Sequence, residues 1–374
     1  MTDARGAGPV LPPDHLRQAV ERLLAGQLVA LPTETVYGLG ADAANPEAVA
    51  RIYAAKGRPA DHPLIVHLAA AAHLAQWAAH VPPAARALAA AFWPGPLTLI
   101  LKKQDWVPLA VTGGQDTVGL RVPGHPLALA LLAAFAAARA PAPAGVAAPS
   151  ANRFGRVSPT TAAHVREEMG EKVALILDGG PCEVGIESTI VDFSRATPEI
   201  LRPGAITAED IVRVAGISPR ARGGPAGGET LTAEAAPRVP GSLAAHYAPR
   251  TPLRLADTAD LAATLARLAR AGQRVAVLAY SALPHDAGRP FGWLAAAPEP
   301  AGYARQLYAS LRALDALGAD LLLVENPPAL PAWRAIADRL RRAAAGAVPD
   351  GPATSGAEEE DHPAHPRSRK EFPA

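Results

Sequence analysis

Short apolar runs and helix-periodic stretches alternate along the first 216 residues of the chain. The apolar runs predict strands at 28–31, 63–68, 97–102, 118–122, 146–148, 173–177, 188–193 and 199–201. The periodic stretches predict helices at 15–25, 46–55, 70–79, 83–92, 127–138, 158–169 and 208–215. This alternation predicts an α/β fold built on a mixed sheet.

Capping residues mark the ends of several predicted helices. Asn45 precedes Pro46 as an N-cap, and Gly57 ends the same helix. Ser158, followed by proline, is predicted to cap the helix that runs to Met169. Lys56 then lies at a helix C-terminus, where the helix dipole favours a cation.

The second part of the chain repeats the α/β rhythm after an interruption. Residues 217–250 are rich in Gly, Pro, Ala and Arg, which predicts a linker. From 251 to 346, strands at 253–255, 274–279 and 320–324 alternate with helices at 258–271, 300–317 and 332–345, which predicts a smaller, Rossmann-like domain with a parallel sheet. Residues 347–374 are predicted to be a disordered tail.

Composition narrows the functional classes. A net charge of +1 gives no global attraction to nucleic acid or membranes, so any basic patch must be local. The single cysteine, Cys182, excludes an internal disulfide and a cysteine-based zinc site. The N-terminus lacks a hydrophobic signal core, and no apolar run is long enough to span a bilayer. A soluble, cytoplasmic protein is therefore expected.

Polar and basic residues cluster after two neighbouring predicted strands. The segment Thr33–Tyr37 follows the first, and His62 and His67 flank the next. Lys56 and Arg58 lie between them, so phosphate and carboxylate donors are expected to meet where the sheet opens. The alternative is an ordinary solvated helix end. A two-histidine metal site is not expected, because five residues separate the histidines around one strand.

Two other motifs bear on nucleotide binding. Ser150 and Asn152 could hold phosphate oxygens and a ribose at a strand exit, although a turn rich in capping residues is the alternative. The segment Gly38–Ala43 fits a loose dinucleotide pattern, but no helix starts beside its second glycine. The chain also has no phosphate-binding loop of the GxxxxGK[ST] type.

Taken in order, these strings resemble the threonylcarbamoyl-adenylate synthase family in its long, two-domain form. The resemblance covers nearly all of 12–215 and extends through His246-Tyr247-Ala-Pro249. It implies a YrdC-like N-terminal catalytic domain at 12–216 with an open, twisted mixed sheet, and a linker that carries an active-site lid. The implied reaction joins L-threonine, bicarbonate and ATP into threonylcarbamoyl-AMP and pyrophosphate.

The resemblance also implies the site residues. Lys56, Arg58 and Asn152 would be catalytic. Threonine would be held by Thr35, His67, Arg121, the backbone at Ala148, and Ser188. ATP would be held by Arg58, His62, Thr117, Ser150, Ser158, Arg202 and Tyr247. Mg²⁺ would travel with the triphosphate, and no protein metal ligand is expected.

The resemblance further implies partners downstream: other proteins transfer the threonylcarbamoyl group to adenosine 37 of tRNAs that read ANN codons. One alternative is a domain of the same fold that binds double-stranded RNA or tRNA. The near-zero net charge of the chain disfavours this alternative. The other is a carbamoyl-transfer enzyme of the hydrogenase-maturation type, which carries cysteine-rich zinc fingers. A single cysteine argues against it.

Overall fold

The computed structural model describes residues 13–221, 236–282 and 290–346. The N-terminal part forms one ten-stranded sheet with the order β10-β9-β8-β4-β5-β3-β6-β2-β1-β7. Its strands are β1 Val29–Leu31, β2 Gly38–Asp42, β3 Ile65–His67, β4 Leu97–Lys102, β5 Thr117–Arg121, β6 Val146–Ala147, β7 Leu175–Ile176, β8 Thr189–Asp192, β9 Glu199–Arg202 and β10 Arg220–Ala221. Parallel pairs such as β3 with β5 and antiparallel pairs such as β4 with β5 both occur. The predicted mixed α/β sheet is confirmed.

Helices cover both faces of this sheet. They are α1 Pro13–Leu24, α2 Pro46–Lys56, α3 Leu74–Trp77, α4 Pro83–Phe92, α5 Leu109–Thr112, α6 Pro126–Arg139, α7 Ala162–Met169 and α8 Ala208–Ala215. Val29 and Leu31 pack with α1 and α6, whereas Ala30 packs in the cluster that includes α2 and α4. Successive strand residues point to opposite faces, so these two clusters are separate layers of core.

The C-terminal part forms a second, four-stranded sheet whose strands are all parallel, with the order β11-β14-β12-β13. Its strands are β11 Leu253–Ala256, β12 Val275–Ala279, β13 Gly292–Ala295 and β14 Leu321–Glu325, and its helices are α9 Leu261–Arg270, α10 Pro300–Asp315 and α11 Arg334–Gly346. The Rossmann-like prediction is confirmed. Throughout the three described ranges, no helix has both the length and the apolar character needed to cross a membrane.

Some predicted elements differ from the structure. The segment 70–79 forms a short 3₁₀ turn followed by α3, and strands β2, β10 and β13 were not predicted. Strand β2 carries two glycines, which weaken a strand prediction. At Gly40 the glycine is needed for packing, because a Cβ there would lie 2.9 Å from the side chains of Leu31 and Val146. The predicted tail, 347–374, lies outside the described residues, as does much of the predicted linker.

One helix start was predicted wrongly. Helix α7 begins at Ala162, and its N-cap is Thr161, whose side chain accepts from the backbone N–H of His164. Ser158 lies before this cap, and its buried hydroxyl donates to a Glu187 carboxylate oxygen at 2.7 Å. The serine-proline pair resembled a helix start, but the hydroxyl bonds to a strand-flanking residue distant in sequence.

A single apolar cluster joins the two parts of the molecule. Val36, Val157 and Ile186 come from the N-terminal part, and Leu307 and Tyr308 from α10. All five side chains are buried. The C-terminal sheet is therefore packed directly against the segments that carry the polar residues singled out above.

Leu307→Ala should lower the free energy of unfolding by about 2–5 kcal/mol, because it opens a cavity in this shared cluster. Leu330→Ala is the matched control, since Leu330 is exposed, and it should change stability by less than about 0.5 kcal/mol. Denaturant unfolding of the full chain measures both values. Equal effects of the two substitutions would contradict the shared core.

Candidate functional site

A pocket lies against one face of the N-terminal sheet and is covered by linker residues 240–247. Its empty space, including the part open to solvent, is about 620 Å³. Ile65 and His67 share a face because they are two residues apart on β3, and Arg121 pairs with His67 in register. The lining residues are Thr33, Thr35, Val36, Gly38, Lys56, Arg58, Ile65, His67, Arg121, Ala148, Pro149, Ser150, Asn152, Phe154, Gly155, Glu187, Ser188, Arg202, Pro240, Gly241, His246 and Tyr247.

Most of the residues expected from the sequence meet in this pocket. Those in the lining are Thr35, Lys56, Arg58, His67, Arg121, Ala148, Ser150, Asn152, Ser188, Arg202 and Tyr247. His62, Thr117 and Ser158 are not in the lining. His62 packs edge-on against Phe154, Thr117 begins β5, and Ser158 bonds to Glu187. The pocket lies on the sheet face rather than only at the strand ends.

Lys56 is the last residue of α2, yet its side chain points into the protein. It is 4% exposed, and its ammonium donates to the carbonyls of Ser150 at 2.6 Å and Asn152 at 2.5 Å. Burial and the nearby Arg58 hold its pKa well below the usual value. The alternative of a solvated helix end is therefore wrong for Lys56.

Arg58 and Arg202 are held mainly by backbone carbonyls. Arg58 donates to the Pro63 carbonyl at 3.0 Å, and burial lowers its pKa to about 10. Arg202 donates to the carbonyls of Ser188 at 3.1 Å and Pro240 at 3.0 Å. Among the residues that the structure describes, neither arginine forms an ion pair with a carboxylate, and nor does Lys56. Their positive charge is left for a ligand.

Arg121 differs from these cations because its fork is already engaged. It pairs with a Glu34 carboxylate oxygen at 2.6 Å and donates to the Thr35 hydroxyl at 2.9 Å. The neighbouring His67 is buried, and its Nδ1 has no hydrogen-bond partner among the described residues. Burial, assisted by the Arg121 charge, lowers the pKa of His67 to about 3, so the ring is neutral at pH 7.

Asn152 is anchored on its nitrogen side and open on its oxygen side. Its Nδ2 donates to the carbonyls of Arg153 at 2.7 Å and Arg156 at 2.9 Å. Within the parts of the chain that the structure describes, its buried Oδ1 has no hydrogen-bond partner. An unpartnered buried acceptor in the pocket wall is a place where a ligand donor would be stabilised.

Tyr247 covers the pocket from the linker and also packs on the C-terminal part. Its ring stacks on Tyr308 with a centroid distance of 5.8 Å, and the Arg339 guanidinium lies 5.4 Å from its centroid. Its hydroxyl is buried and has no hydrogen-bond partner in the three described ranges. A Cβ on Gly241 would lie 2.0 Å from that hydroxyl, so glycine is required there.

Sequence reasoning did not single out several residues of the lining, among them Phe154 and Gly241. The Arg58 guanidinium lies 5.4 Å from the centroid of the Phe154 ring. Gly241 leaves room for the Tyr247 hydroxyl. An aromatic residue two positions after Asn152 was a signal that could have been noted. The role of Gly241 depends on its contact with the Tyr247 side chain, and that contact forms only when the chain folds.

Comparisons with known proteins cover nearly the whole chain. A family model of the Sua5, YciO and YrdC type, described as telomere recombination, matches residues 21–204. A second model, described as the threonylcarbamoyl-AMP synthase C-terminal domain, matches residues 206–345. The chain belongs to the threonylcarbamoyl-AMP synthase family.

Relatives in this family are similar over their full length. The threonylcarbamoyl-AMP synthase of Pyrococcus abyssi is 40% identical, with 88% of this chain and 93% of the relative covered. The threonylcarbamoyl-AMP synthase of Bacillus subtilis is 39% identical over 89% of this chain and 94% of its own. The crystal structure of P. abyssi Sua5 complexed with L-threonine is 37% identical, with a TM-score of 0.79 over 88% of this chain and 94% of that one.

Lys56→Met should lower the free energy of unfolding by roughly 1–3 kcal/mol, because two buried carbonyls lose their donor. Lys172→Met is the control: Lys172 is exposed and donates to the Ala55 carbonyl at 3.3 Å. It removes the same charge and should change stability by less than about 0.5 kcal/mol. Denaturant unfolding measures both. A Lys56→Met protein as stable as the control would show that these bonds carry no stability.

Acid should destabilise the protein through its buried histidines. The pKa values of His67 and His246 are about 3 in the folded state, chiefly because of burial, against about 6.5 in an unfolded chain. Between these values the unfolded state binds more protons, so the free energy of unfolding should fall as pH drops from about 6.5 toward 3.

The pH series should be run on wild type, His67→Gln and the exposed-site control His80→Gln. His67→Gln should flatten the slope between about pH 6.5 and 4, and the control should leave it unchanged. An identical slope in all three proteins would contradict the assignment of a neutral, buried His67.

Proposed function

We propose that this protein condenses L-threonine, bicarbonate and ATP into threonylcarbamoyl-AMP and pyrophosphate. One observation carries the proposal. In the pocket of this threonylcarbamoyl-AMP synthase family member, three cations are buried without a carboxylate partner among the described residues, namely Lys56, Arg58 and Arg202. The P. abyssi structure with bound L-threonine supports a small-molecule pocket in this fold. The identified family favours this function over an RNA-binding module of the same fold.

The reaction brings several negative charges together. The threonine amine attacks bicarbonate, water leaves, and a carbamate forms beside the amino-acid carboxylate. A carbamate oxygen then attacks the α-phosphorus of ATP, and pyrophosphate departs. Fixed positive charge in a site shielded from water lowers the repulsion between these anions without any reorganisation of solvent. No nucleophilic side chain is needed.

For threonine we propose the wall formed by Thr35, His67, Ser188 and the Ala148 backbone, with Arg121 behind it. Arg121 was also expected among the threonine-binding residues. Since it is paired with Glu34 and donates to Thr35, we propose instead that it orients Thr35. The neutral ring of His67 offers a hydrogen bond without adding charge.

For ATP we propose Arg58, Arg202, Ser150 and Tyr247 as direct contacts, with Lys56 and Asn152 where the carbamate forms. Three other expected ATP contacts lie outside the lining, namely His62, Ser158 and Thr117. We propose that Ser158 acts through Glu187 and that His62 acts through Arg58, whose Nε lies 3.5 Å from the His62 carbonyl. For Thr117 the proposal rests on the resemblance alone.

A divalent cation enters this proposal as part of the substrate. Within the described ranges, no group of three or more His, Cys, Asp and Glu side chains could hold a metal ion. The carboxylate in the pocket lining, Glu187, accepts from Ser158, Tyr308 and Arg339. We propose Mg²⁺ that is carried by the triphosphate and water, with the protein contacting the phosphates.

We also propose a domain organisation with a role for each part of the chain. Residues 12–216 form the catalytic domain, 217–250 the linker with its lid, 251–346 the second domain, and 347–374 a tail. The product is a mixed anhydride that water destroys, so the lid at 242–249 would protect it. Downstream proteins in the cytoplasm would transfer the threonylcarbamoyl group to tRNAs reading ANN codons.

Pyrophosphate should be released from ATP only when L-threonine and bicarbonate are both present. The expected assay follows ¹⁴C from bicarbonate into an adenylate and measures pyrophosphate in parallel. Serine should react less efficiently by about ten- to 200-fold, because it lacks one methyl group.

Matched reactions without threonine, without bicarbonate, and with each other amino acid are the controls. Pyrophosphate release that is equal without threonine would overturn the substrate assignment. Release without incorporation of ¹⁴C would indicate an ATP hydrolase instead.

A further inference from the structure

One carboxylate lies in the wall of the positively charged pocket. Glu187 is 7% exposed and precedes Ser188, which accepts from Arg202. Its Oε1 accepts from the Ser158 hydroxyl at 2.7 Å. Its Oε2 accepts from the Tyr308 hydroxyl at 2.9 Å and from Nε of Arg339 at 2.8 Å. Two of these three donors come from the C-terminal part of the chain.

Arg339 binds more than the carboxylate. It is fully buried, and its Nη1 donates to the Pro203 carbonyl at 2.9 Å, while Nη2 donates to the Glu187 carbonyl at 3.3 Å. Pro203 follows Arg202, and Glu187 precedes Ser188. A single guanidinium from α11 therefore joins the two segments that deliver these pocket residues.

The charge balance at Glu187 has a direct consequence for anions. Burial raises the pKa of this carboxyl, but Arg339, Arg202 and the Ser158 hydrogen bond outweigh burial and bring it to about 2. Glu187 is therefore ionised at neutral pH. An ionised carboxylate in a pocket wall repels phosphate and carbamate unless a cation compensates it at short range.

We propose that Arg339 and Tyr308, from the C-terminal domain, are positioning residues: Arg339 neutralises Glu187, and both hold it away from the substrate, so that the pocket can accept an anionic nucleotide. The inference rests on the proposed function only in taking ATP as the ligand. It gives the C-terminal domain a chemical task beyond anchoring the linker: without Arg339, Glu187 loses its ion-pair partner, and only Arg202 and the Ser158 hydrogen bond offset its negative charge.

The test measures binding of the ATP analogue AMPPNP with Mg²⁺ to the full-length chain by titration calorimetry. Arg339→Met keeps an unbranched side chain about as long as the arginine stem and removes the charged guanidinium. Glu187→Gln removes the opposing charge and keeps the shape. The double variant Glu187→Gln/Arg339→Met removes both, and Arg341→Met is the control, since Arg341 is an exposed arginine on the same helix.

Arg339→Met should weaken AMPPNP binding by at least about tenfold, because Glu187 is left unpaired beside the phosphates. Glu187→Gln alone should bind as tightly as wild type or more tightly. The double variant should recover to within about threefold of Glu187→Gln, and the control should match wild type. Tyr308→Phe, which keeps the ring, should weaken binding less than Arg339→Met does.

A double variant that binds no better than Arg339→Met would overturn the proposal, because a merely structural role is not rescued by removing a second side chain. Unchanged binding by Arg339→Met would overturn it too. If Arg339→Met does not fold, the test uses Tyr308→Phe and the double variant. The contradicting result is then wild-type affinity in Tyr308→Phe together with a double variant that does not come within about threefold of Glu187→Gln.

The outcome can be separated from the proposed function. Wild-type protein that binds AMPPNP but forms no threonylcarbamoyl-AMP would reject the reaction, yet the binding series would still decide the role of Arg339. Steady-state kinetics give a second readout: a rise in the ATP KM of Arg339→Met with little change in kcat is expected.

Discussion

Cations buried against backbone carbonyls are the constraint on which the site depends. Taking an ammonium or guanidinium group out of water is unfavourable unless hydrogen bonds replace the water. In this pocket Lys56, Arg58 and Arg202 donate those hydrogen bonds to main-chain carbonyl oxygens. Carbonyls hold each side chain in place but leave its net charge uncancelled. A site of this type retains attraction for anions.

The surrounding fold can be understood from this requirement. The carbonyls that fix the cations belong to segments that flank strands β3, β6 and β8 and to Pro240 of the linker. Fixing the cations therefore requires that these segments be held in place. The C-terminal sheet contributes through α10 and α11, whose Tyr308 and Arg339 bond to Glu187. The two parts of the molecule are thereby joined by apolar packing and by charge.

Local signals in the sequence predicted most elements of the fold. Asn45 and Gly57 bound α2 as expected, since Asn45 accepts from two backbone N–H groups and Gly57 has a left-handed φ of 63°. Strand β2 was missed because its glycines serve packing against Leu31 and Val146, which are brought together only by the sheet.

Sequence reasoning could name most of the residues that meet in the pocket, but it could name few of the contacts that they make. Local reasoning placed Lys56 at a helix end, where solvent exposure is the usual outcome, but its partners lie near residue 150. The engagement of Arg121 by Glu34 and of Ser158 by Glu187 likewise joins residues far apart in the chain. The family resemblance supplied the residue types, and tertiary structure supplied their hydrogen-bond partners.

The most direct test of this account is a crystal structure of the full chain with L-threonine and AMPPNP bound together. The account predicts phosphate oxygens within hydrogen-bond distance of Arg58 and Arg202, threonine on the side of Thr35 and His67, and Tyr247 covering both. Glu187 should remain paired with Arg339 and should not contact the nucleotide. Phosphates bound away from these arginines, or a Glu187 carboxylate turned toward the nucleotide, would contradict it.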